Sequence, residues 1–178
     1  MYYKINIIYW RIKLFREMKR KKQLLSVEES EEILKKCSSG VLAVLGDDNY
    51  PYTIPLSYVY SDSKIFFHCA KKGYKLDAIE KNNKVSFCVI EKDQVMPEEY
   101  TTYYRSVIVF GKIFIMKDEI EKRKAIEILA LKYYPNDTKA HRYKSIENEY
   151  NALCMLQLNI EYMTGKEAIE LVNAKNVK

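Results

Sequence analysis

Three lysines surround a predicted turn between a strand and a helix, and together they could bind an anion. In the stretch FFHCAKKGYKLDA, which begins at Phe66, Lys71, Lys72 and Lys75 flank Gly73, and a helical pattern starts just after the glycine. A helix N-terminus is already positive, because its first backbone N–H groups have no partner within the helix. A phosphate would bind those N–H groups and offset the lysine charges, and glycine would let it approach closely. The alternative is that the lysines are simply exposed to solvent, as loop lysines usually are.

Other reactive side chains give weaker signals. His68 ends the strand before this turn, where it could transfer a proton or be a half-buried histidine bonded to a carbonyl group. His141 lies in a charged helical stretch, and a solvated helix face accounts for it. Ser57 lacks the Gly-x-Ser-x-Gly context of a hydrolase nucleophile. The sequence has no Walker loop, no G-x-G-x-x-G and no HExxH pattern, which argues against a classical nucleotide-binding fold.

The four cysteines predict neither a metal site nor a disulfide framework. They stand far apart, at Cys37, Cys69, Cys88 and Cys154, without a C-x-x-C spacing or a neighbouring histidine cluster. A reduced, cytoplasmic protein is therefore expected. Cys69, beside His68, is either redox-active or merely small.

Six predicted strands, many of which follow each other directly with few helices between them, favour an antiparallel barrel or sandwich over a parallel doubly wound sheet. Strands are predicted at about 40–45, 52–60, 64–68, 85–90, 103–116 and 152–162. Helices are predicted at about 27–37, after an S-x-x-E capping box, then 74–81, 118–134 and 137–150. A polar loop is expected from about 91 to 101, and Gly111 suggests a bulge or a close backbone approach. Pro51 and Pro55 indicate that the second strand is not fully paired, because proline cannot donate to a ladder.

Composition and charge indicate a single domain with a basic extension. The chain has 178 residues, 48% of them hydrophobic, enough for one core. Its net charge of +6 is uneven: residues 1–22 hold eight Lys or Arg and one Glu (net +7), so residues 23–178 hold 22 basic and 23 acidic residues (net −1). We therefore predict an extension at 1–22 and one domain at 23–178, without the basic face of a nucleic-acid-binding protein.

The extension begins MYYKINIIYWRIKLF, and its longest uncharged run, from Ile5 to Trp10, is too short to span a membrane. It is either a plain terminal extension or an amphipathic arm that binds a membrane surface or a partner.

The order of the motifs resembles a known family. The succession GVLAVL, YPYTIPLSYVY, KIFFHCAKKGYKLDAIEKNNKVSFCV, YTTYYRSVIVFGKI and NIEYMTGKEA is similar to the pyridoxamine 5′-phosphate oxidase-like split-barrel flavoproteins, and within them to the 5-nitroimidazole resistance (Nim-type) subgroup. The resemblance covers about residues 18–166.

This resemblance implies a mainly β fold, a six-stranded antiparallel split β-barrel with peripheral helices. It further implies a homodimer that binds FMN, with FAD as a variant, in the groove between subunits. The ring would lie along the second strand, the phosphate would be held at the start of the helix, and a long strand would contribute, perhaps from the partner. Carried over to this sequence, the cofactor-binding residues would be Pro55, Leu56, Ser57, Tyr58, Val59, His68, Cys69, Ala70, Tyr74, Lys75, Ser106 and Val107.

The sequence also departs from the family pattern. Pyridoxamine oxidases proper carry an Arg-Lys pair at the phosphate, which here is Tyr74-Lys75, and the basic pattern of their flavin strand is replaced by the neutral 54–57. Phosphorylated B6 substrates, which need additional cations, are therefore disfavoured, and the discrimination against FAD is weakened.

The expected function is a flavin-dependent oxidoreductase that reduces a small flat acceptor such as a nitro-aromatic compound. His68 would be the catalytic residue, as proton donor or orienting group. Two alternatives stay open: a flavin- or haem-binding module without turnover, and a reductase with an ordinary metabolic acceptor.

Overall fold

One antiparallel sheet dominates the computed structural model, which describes residues 15–176. Its strands are β1 Ser39–Leu45, β2 Pro51–Ser57, β3 Val59–Ser61, β4 Lys64–Ala70, β5 Lys84–Met96, β6 Thr101–Ile115 and β7 Leu153–Glu167. The helices are α1 Val27–Lys36, α2 Tyr74–Lys81, α3 Glu119–Tyr133, α4 Lys139–Tyr150 and α5 Ile169–Asn176. The predicted mainly β architecture with peripheral helices is confirmed. The sheet has seven strands rather than six, because the predicted second strand is divided into β2 and β3 at Tyr58.

The strand order shows why the sheet is a split barrel. Along the sheet the order is β2-β1-β5-β6-β7-β4-β3, so β2 and β3 form opposite edges. Only Tyr58 separates these two strands in the chain, and the sheet must therefore roll up until its edges meet. Where they meet, β2 contacts β4 without forming a ladder with it, and this seam is the split. As expected from Pro51 and Pro55, β2 pairs on one side only.

Two apolar cores lie on the two faces of β4. Inside the barrel, the Phe87 ring meets Tyr58 and Phe67 edge-on, at centroid distances of 4.9 and 5.1 Å. Outside, Phe66 packs with Met155 beneath α3 and α4. Each such buried side chain stabilises the fold by about 1.5–3 kcal/mol. The alternation along β4 therefore turns residues 65, 67 and 69 inward and residues 66, 68 and 70 outward.

Helix boundaries follow local capping chemistry. The predicted capping box of α1 is present: the Glu29 N–H donates to Ser26 Oγ at 3.1 Å, and the Ser26 N–H donates to Glu29 Oε2 at 3.0 Å. The side chains of Asp118 and Thr138 accept backbone N–H groups of the first turns of α3 and α4, without the reciprocal bond of a capping box. By contrast, α2 starts at Gly73 with φ 137° and no side-chain cap among the described residues.

Three differences from the predicted elements concern chain ends and loops. The predicted polar loop is wrong, because β5 runs on to Met96 and pairs with β6 up to Thr101. β7 continues to Glu167, and α5 follows it without a matching prediction. Residues 15–22 of the predicted extension reach the barrel, where the Phe15 ring stacks on Tyr162 at 4.9 Å.

The predicted amphipathic arm falls mostly on residues 1–14, which lie outside the described residues. In the part of the chain that the structure describes, no helix combines the length and the apolar character needed to cross a membrane.

Candidate functional site

The turn between β4 and α2 presents unpaired backbone donors. Gly73 adopts a conformation that few other residues reach, and its carbonyl oxygen accepts the N–H groups of Leu76 and Asp77. The N–H groups of Tyr74 and Lys75 precede the first intrahelical bond, and no side chain within residues 15–176 caps them. These two donors are therefore available to an anion.

The lysine charges at this turn are also uncompensated. Lys71 and Lys72 are exposed and Lys75 is half-buried. None of the three forms an ion pair within residues 15–176. At the other end of the same helix, Lys81 Nζ lies 2.7 Å from Asp47 Oδ1. The unpaired positive charge is thus concentrated where the helix dipole is also positive.

Lys75 acts electrostatically on the end of β4. Burial lowers the pKa of His68, and the nearby Lys75 charge lowers that pKa further. His68 is therefore neutral at neutral pH. Burial raises the pKa of Cys69 to about 11, although Lys75 opposes the shift. Lys75 thus lies close enough to both His68 and Cys69 to act on their ionisation.

Tyr74 holds the start of α2 in place. Its hydroxyl accepts the Asp47 N–H at 2.6 Å, and its ring lies 4.8 Å from the Tyr52 ring. The hydroxyl is therefore engaged with the β1–β2 turn. Tyr74 was predicted as a cofactor-binding residue, and in this structure its side chain packs against the β1–β2 turn.

The split between β2 and β4 brings two predicted segments side by side. Val59 of β3 pairs with Phe66 of β4, and β2, which ends at Ser57, also contacts β4, the strand that carries His68. Ser57 and His68 are exposed on the outer face, together with Pro55 and Ala70. These four residues form an exposed strip along the seam.

The other predicted residues of these segments face the cores. Leu56 packs against the barrel core, and Tyr58 is fully buried. The Tyr133 hydroxyl binds both polar groups of the Tyr58 backbone, at 2.9 Å from its nitrogen and 3.1 Å from its oxygen. Val59 is buried in the outer core. Leu56, Tyr58 and Val59 therefore hold Ser57 in place.

Ser106 and Val107 lie well away from the strip. The Val107 side chain is fully buried inside the barrel, whereas Ser106 is half-buried on the outer face. Ser106 belongs to β6, three strands from Ser57 of β2, a separation of about 14 Å at the usual strand spacing. Within one chain it does not complete the strip.

Two clefts flank the end of β4. One, of about 460 Å³, is lined by His68, Cys69 and Ala70 and has an apolar wall made by Ile126, Ile146 and Leu153. The other, of about 580 Å³, is lined by Lys71, Lys72 and Gly73 and reaches Cys154. Both volumes are in the range of small-molecule sites.

Two residues of α3 support the seam and were not identified from the sequence. Besides the Tyr133 contacts, Lys132 Nζ lies 3.9 Å from the centroid of the Tyr58 ring and donates to the Cys37 oxygen at 2.6 Å. Burial lowers the pKa of Lys132 to about 8. Their partners are 75 to 95 residues away in the chain, so no local pattern marks them.

Metal-ligating side chains are scattered over the described residues. Within 15–176, no group of three or more His, Cys, Asp or Glu is close enough to hold a metal ion.

Comparison with known proteins gives one family and several structures. Residues 26–167 match the family model described as pyridoxamine 5′-phosphate oxidase. Among curated proteins, none matches the chain in sequence.

Three similar solved structures share the fold. A candidate 5-nitroimidazole antibiotic resistance protein from Bacteroides thetaiotaomicron is 18% identical, with a TM-score of 0.70 over 81% of this chain and 86% of that one. An FAD-binding protein from Mesorhizobium loti is 24% identical, with a TM-score of 0.61 over 82% and 97%. An FAD- and haem-binding protein from Mycobacterium smegmatis is 20% identical, with a TM-score of 0.68 over 83% and 73%.

Proposed function

Because the chain belongs to the pyridoxamine 5′-phosphate oxidase family, we propose that it binds a flavin at the β4–α2 turn and acts as a flavin-dependent oxidoreductase. FMN is the expected cofactor, with FAD as the variant. A bound flavin supplies hydride and electron transfer, while the protein supplies binding, orientation and electrostatics.

The unpaired charge at the turn carries this proposal. The N–H groups of Tyr74 and Lys75 would bind the flavin phosphate, and the Lys75 ammonium would pair with it. Lys71 and Lys72 lie on the open side of the turn, so a second phosphate of FAD would also meet positive charge. The exposed strip of Pro55, Ser57, His68 and Ala70 would contact the rest of the cofactor.

A second copy of the chain would complete the site. Between Ser57 and Ser106, the outer face of the sheet is apolar and exposed at Val41, Ile90 and Ile108, by 39%, 57% and 40%. Such a row favours a protein interface. A homodimer built on it would bring Ser106 of one copy toward the strip of the other.

The acceptor we propose is a small, flat, nitro-aromatic compound such as a 5-nitroimidazole. The His68 cleft has the size and the apolar wall for such a molecule, and the similar Bacteroides protein is described as a 5-nitroimidazole resistance protein. Because its pKa is lowered, His68 would orient the acceptor as a neutral hydrogen-bonding group. Neutral residues at 54–57 disfavour a phosphorylated B6 substrate.

Flavin content tests the first part of the proposal. The absorbance spectrum of the purified protein, and the released chromophore compared with FMN and FAD standards, should show stoichiometric flavin. Lys75→Gln should weaken flavin binding at least tenfold in Kd, which is about 1.4 kcal/mol. Lys144→Gln, an exposed lysine of α4, is the matched control and should bind as the wild type does. Protein that neither contains nor takes up flavin would overturn the proposal.

A single-turnover experiment separates a reductase from a binding module. Flavin-loaded protein is reduced with dithionite without oxygen and mixed with a 5-nitroimidazole. In a reductase, the flavin should be reoxidised as the absorbance of the nitro compound disappears. His68→Ala should slow this step and still bind the flavin. Flavin that stays reduced in the wild type, despite full occupancy, would indicate a binding module. Haem absorbance in place of flavin would indicate the haem-binding alternative.

A further inference from the structure

Two cysteines face each other across the β4–β7 ladder. Cys69 is paired with Cys154, so both thiols point to the same face of the sheet, the barrel interior. Directly opposed residues in antiparallel strands have Cα atoms about 4.5–5.5 Å apart, within the range of about 4.4–6.8 Å that disulfides span. The Cys154 thiol is also close enough to affect the ionisation of Cys69. Neither cysteine forms a disulfide in this structure.

We propose that Cys69 and Cys154 form a redox-active dithiol that closes to a cross-strand disulfide when a peroxide oxidises it. This inference rests on the ladder register and does not depend on flavin binding. It resolves the alternative left open for Cys69 in favour of redox activity.

The two thiols differ in their exposure to solvent, and this difference sets the order in which they react. Cys69 is half-buried whereas Cys154 is buried, so Cys69 meets the oxidant first. Its thiolate attacks one peroxide oxygen, the O–O bond breaks, and the departing hydroxide takes up a proton to become water. Cys154, which is buried, then attacks the resulting sulfenic sulfur, and the hydroxyl group leaves with the Cys154 proton as a second water. The two thiols thus give two electrons to the peroxide.

Burial of Cys69 predicts how the reaction depends on pH. Burial raises the pKa of Cys69 to about 11; Lys75 of α2 lowers this pKa, and Cys154 of β7 raises it further. Glu149 of α4 lines the His68 cleft at the same end of β4. Because the thiolate is the nucleophile, the rate of cross-linking should rise about tenfold per pH unit from neutrality toward that pKa.

Peptide mapping tests the proposal directly. Reduced protein is treated with excess hydrogen peroxide, remaining thiols are blocked with N-ethylmaleimide, and the protein is digested with trypsin. The cross-link should join the peptide of residues 65–71 to the peptide of residues 145–166, with the mass of two hydrogen atoms lost. Dithiothreitol should restore both free peptides.

Matched cysteine variants identify the pair. Cys88→Ser should leave the cross-link unchanged, because Cys88 faces Val41 and Ile108 across its ladders. Cys154→Ser should abolish it and leave a Cys69 sulfenic acid that dimedone traps; far-ultraviolet circular dichroism confirms that this variant is folded. Recovery of both wild-type peptides in the maleimide-blocked form after peroxide treatment would overturn the proposal. A cross-link that involves Cys37 or Cys88 instead would also overturn it.

Discussion

At the scale of single residues, Lys75 links the proposed anion site to His68. The positive charge of Lys75 contributes to the lowered pKa of His68, after burial. A phosphate bound at Lys75 would neutralise that charge, so the pKa of His68 should rise toward its usual value without reaching it, because burial remains. Binding would then leave His68 better able to take up a proton near neutral pH.

NMR titration of His68 checks this coupling. We expect inorganic phosphate, added to flavin-free protein, to shift the titration midpoint of His68 upward. Lys75→Gln should raise the midpoint without phosphate and remove most of the further response. The signal of His141, on α4, serves as the reference. An unchanged His68 midpoint at saturating phosphate would show that the anion binds elsewhere.

Gly73 is needed for its backbone conformation, because there is room for a side chain at this position. A Cβ atom at this position would meet nothing within 4 Å, yet the backbone has φ 137°, which L-residues rarely adopt. We expect Gly73→Ala to cost about 1–3 kcal/mol in unfolding free energy and to weaken flavin binding by reshaping the turn. Urea unfolding and flavin titration measure the two effects. Wild-type values for both would show that the turn tolerates a side chain.

At the scale of secondary-structure elements, the neighbouring strand leaves no room for a side chain at Gly111. The β6–β7 register shifts between Phe110 and Gly111, as the predicted bulge or close approach required. A Cβ atom here would collide with the backbone oxygen of Asn159, which cannot move away as a flexible side chain could. We expect Gly111→Ala to destabilise the protein by about 1–3 kcal/mol. Thermal unfolding should show a lower Tm, whereas a wild-type Tm would contradict the predicted clash.

The elements that the sequence predicts well are those with strong local signals. The capping box at Ser26 and Glu29 predicts the start of α1, and the predicted end of this helix lies within one residue of the observed end. The β4–α2 turn follows from Gly73 and from the change from strand to helix periodicity. The predicted strand at about 85–90 is shorter than β5, because the second half of β5, up to Met96, has polar side chains on both faces and resembles a loop in sequence. Only pairing with β6 makes that half a strand, and pairing is not local.

The candidate site also has one part that the sequence predicts and another part that depends on non-local packing. The split places β2, which carries Ser57, against β4, which carries His68, and the sequence analysis assigned residues of both strands to one site. The inward direction of Tyr58 and Val107 could not be read reliably from continuous apolar runs, because such runs carry no alternation. The contacts of Tyr133 depend on the packing of α3 against the barrel, which no local pattern encodes.

At the scale of the whole molecule, the exposed apolar row predicts an assembly. We expect a homodimer by sedimentation velocity, and Ile108→Glu combined with Ile90→Lys should produce monomers, because charges in a dry interface are costly. Flavin occupancy should fall with the dimer if Ser106 acts on the partner's site. Ile120→Lys is the control, since Ile120 is also exposed but lies on α3. A wild-type protein that sediments as a monomer would contradict the shared site.

The end of the barrel near α5 is closed by an ionic network rather than by apolar side chains. Arg105 of β6 lies 2.9 Å from Glu91 Oε2, 3.2 Å from Glu167 Oε2 and 3.4 Å from Glu29 Oε1. Lys175 of α5 lies 2.7 Å from both Glu29 and Glu167. The network therefore links α1, three neighbouring strands and α5. It also explains why α5 packs against the barrel, although no helix is predicted from its sequence.

The pH dependence of stability should report this network. Hydrogen bonds from Lys175 and from the Ser26 N–H lower the pKa of Glu29. Burial opposes ionisation of Glu91, but Lys36 and Arg105 outweigh it and lower its pKa. Carboxylates with lowered pKa values stabilise the fold above their unfolded pKa of about 4.3, and this contribution is lost as pH falls through their folded values. The free energy of unfolding should therefore decrease steeply below about pH 4.

Removal of the central cation should weaken both the stability and its pH dependence. Arg105→Gln leaves Glu167 buried with Lys175 as its only cation among the described residues and removes one partner of Glu91, so we expect a loss of about 3 kcal/mol at neutral pH. The pKa of Glu91 should then rise toward its unfolded value, and the acid limb of the stability curve should become shallower. Urea unfolding at a series of pH values measures both effects. Lys124→Gln, which breaks the exposed pair with Glu121, should cost at most about 0.5 kcal/mol and keep the wild-type limb. An Arg105→Gln protein with the full acid limb would place the acid sensitivity in other carboxylates and leave the network a purely geometric role.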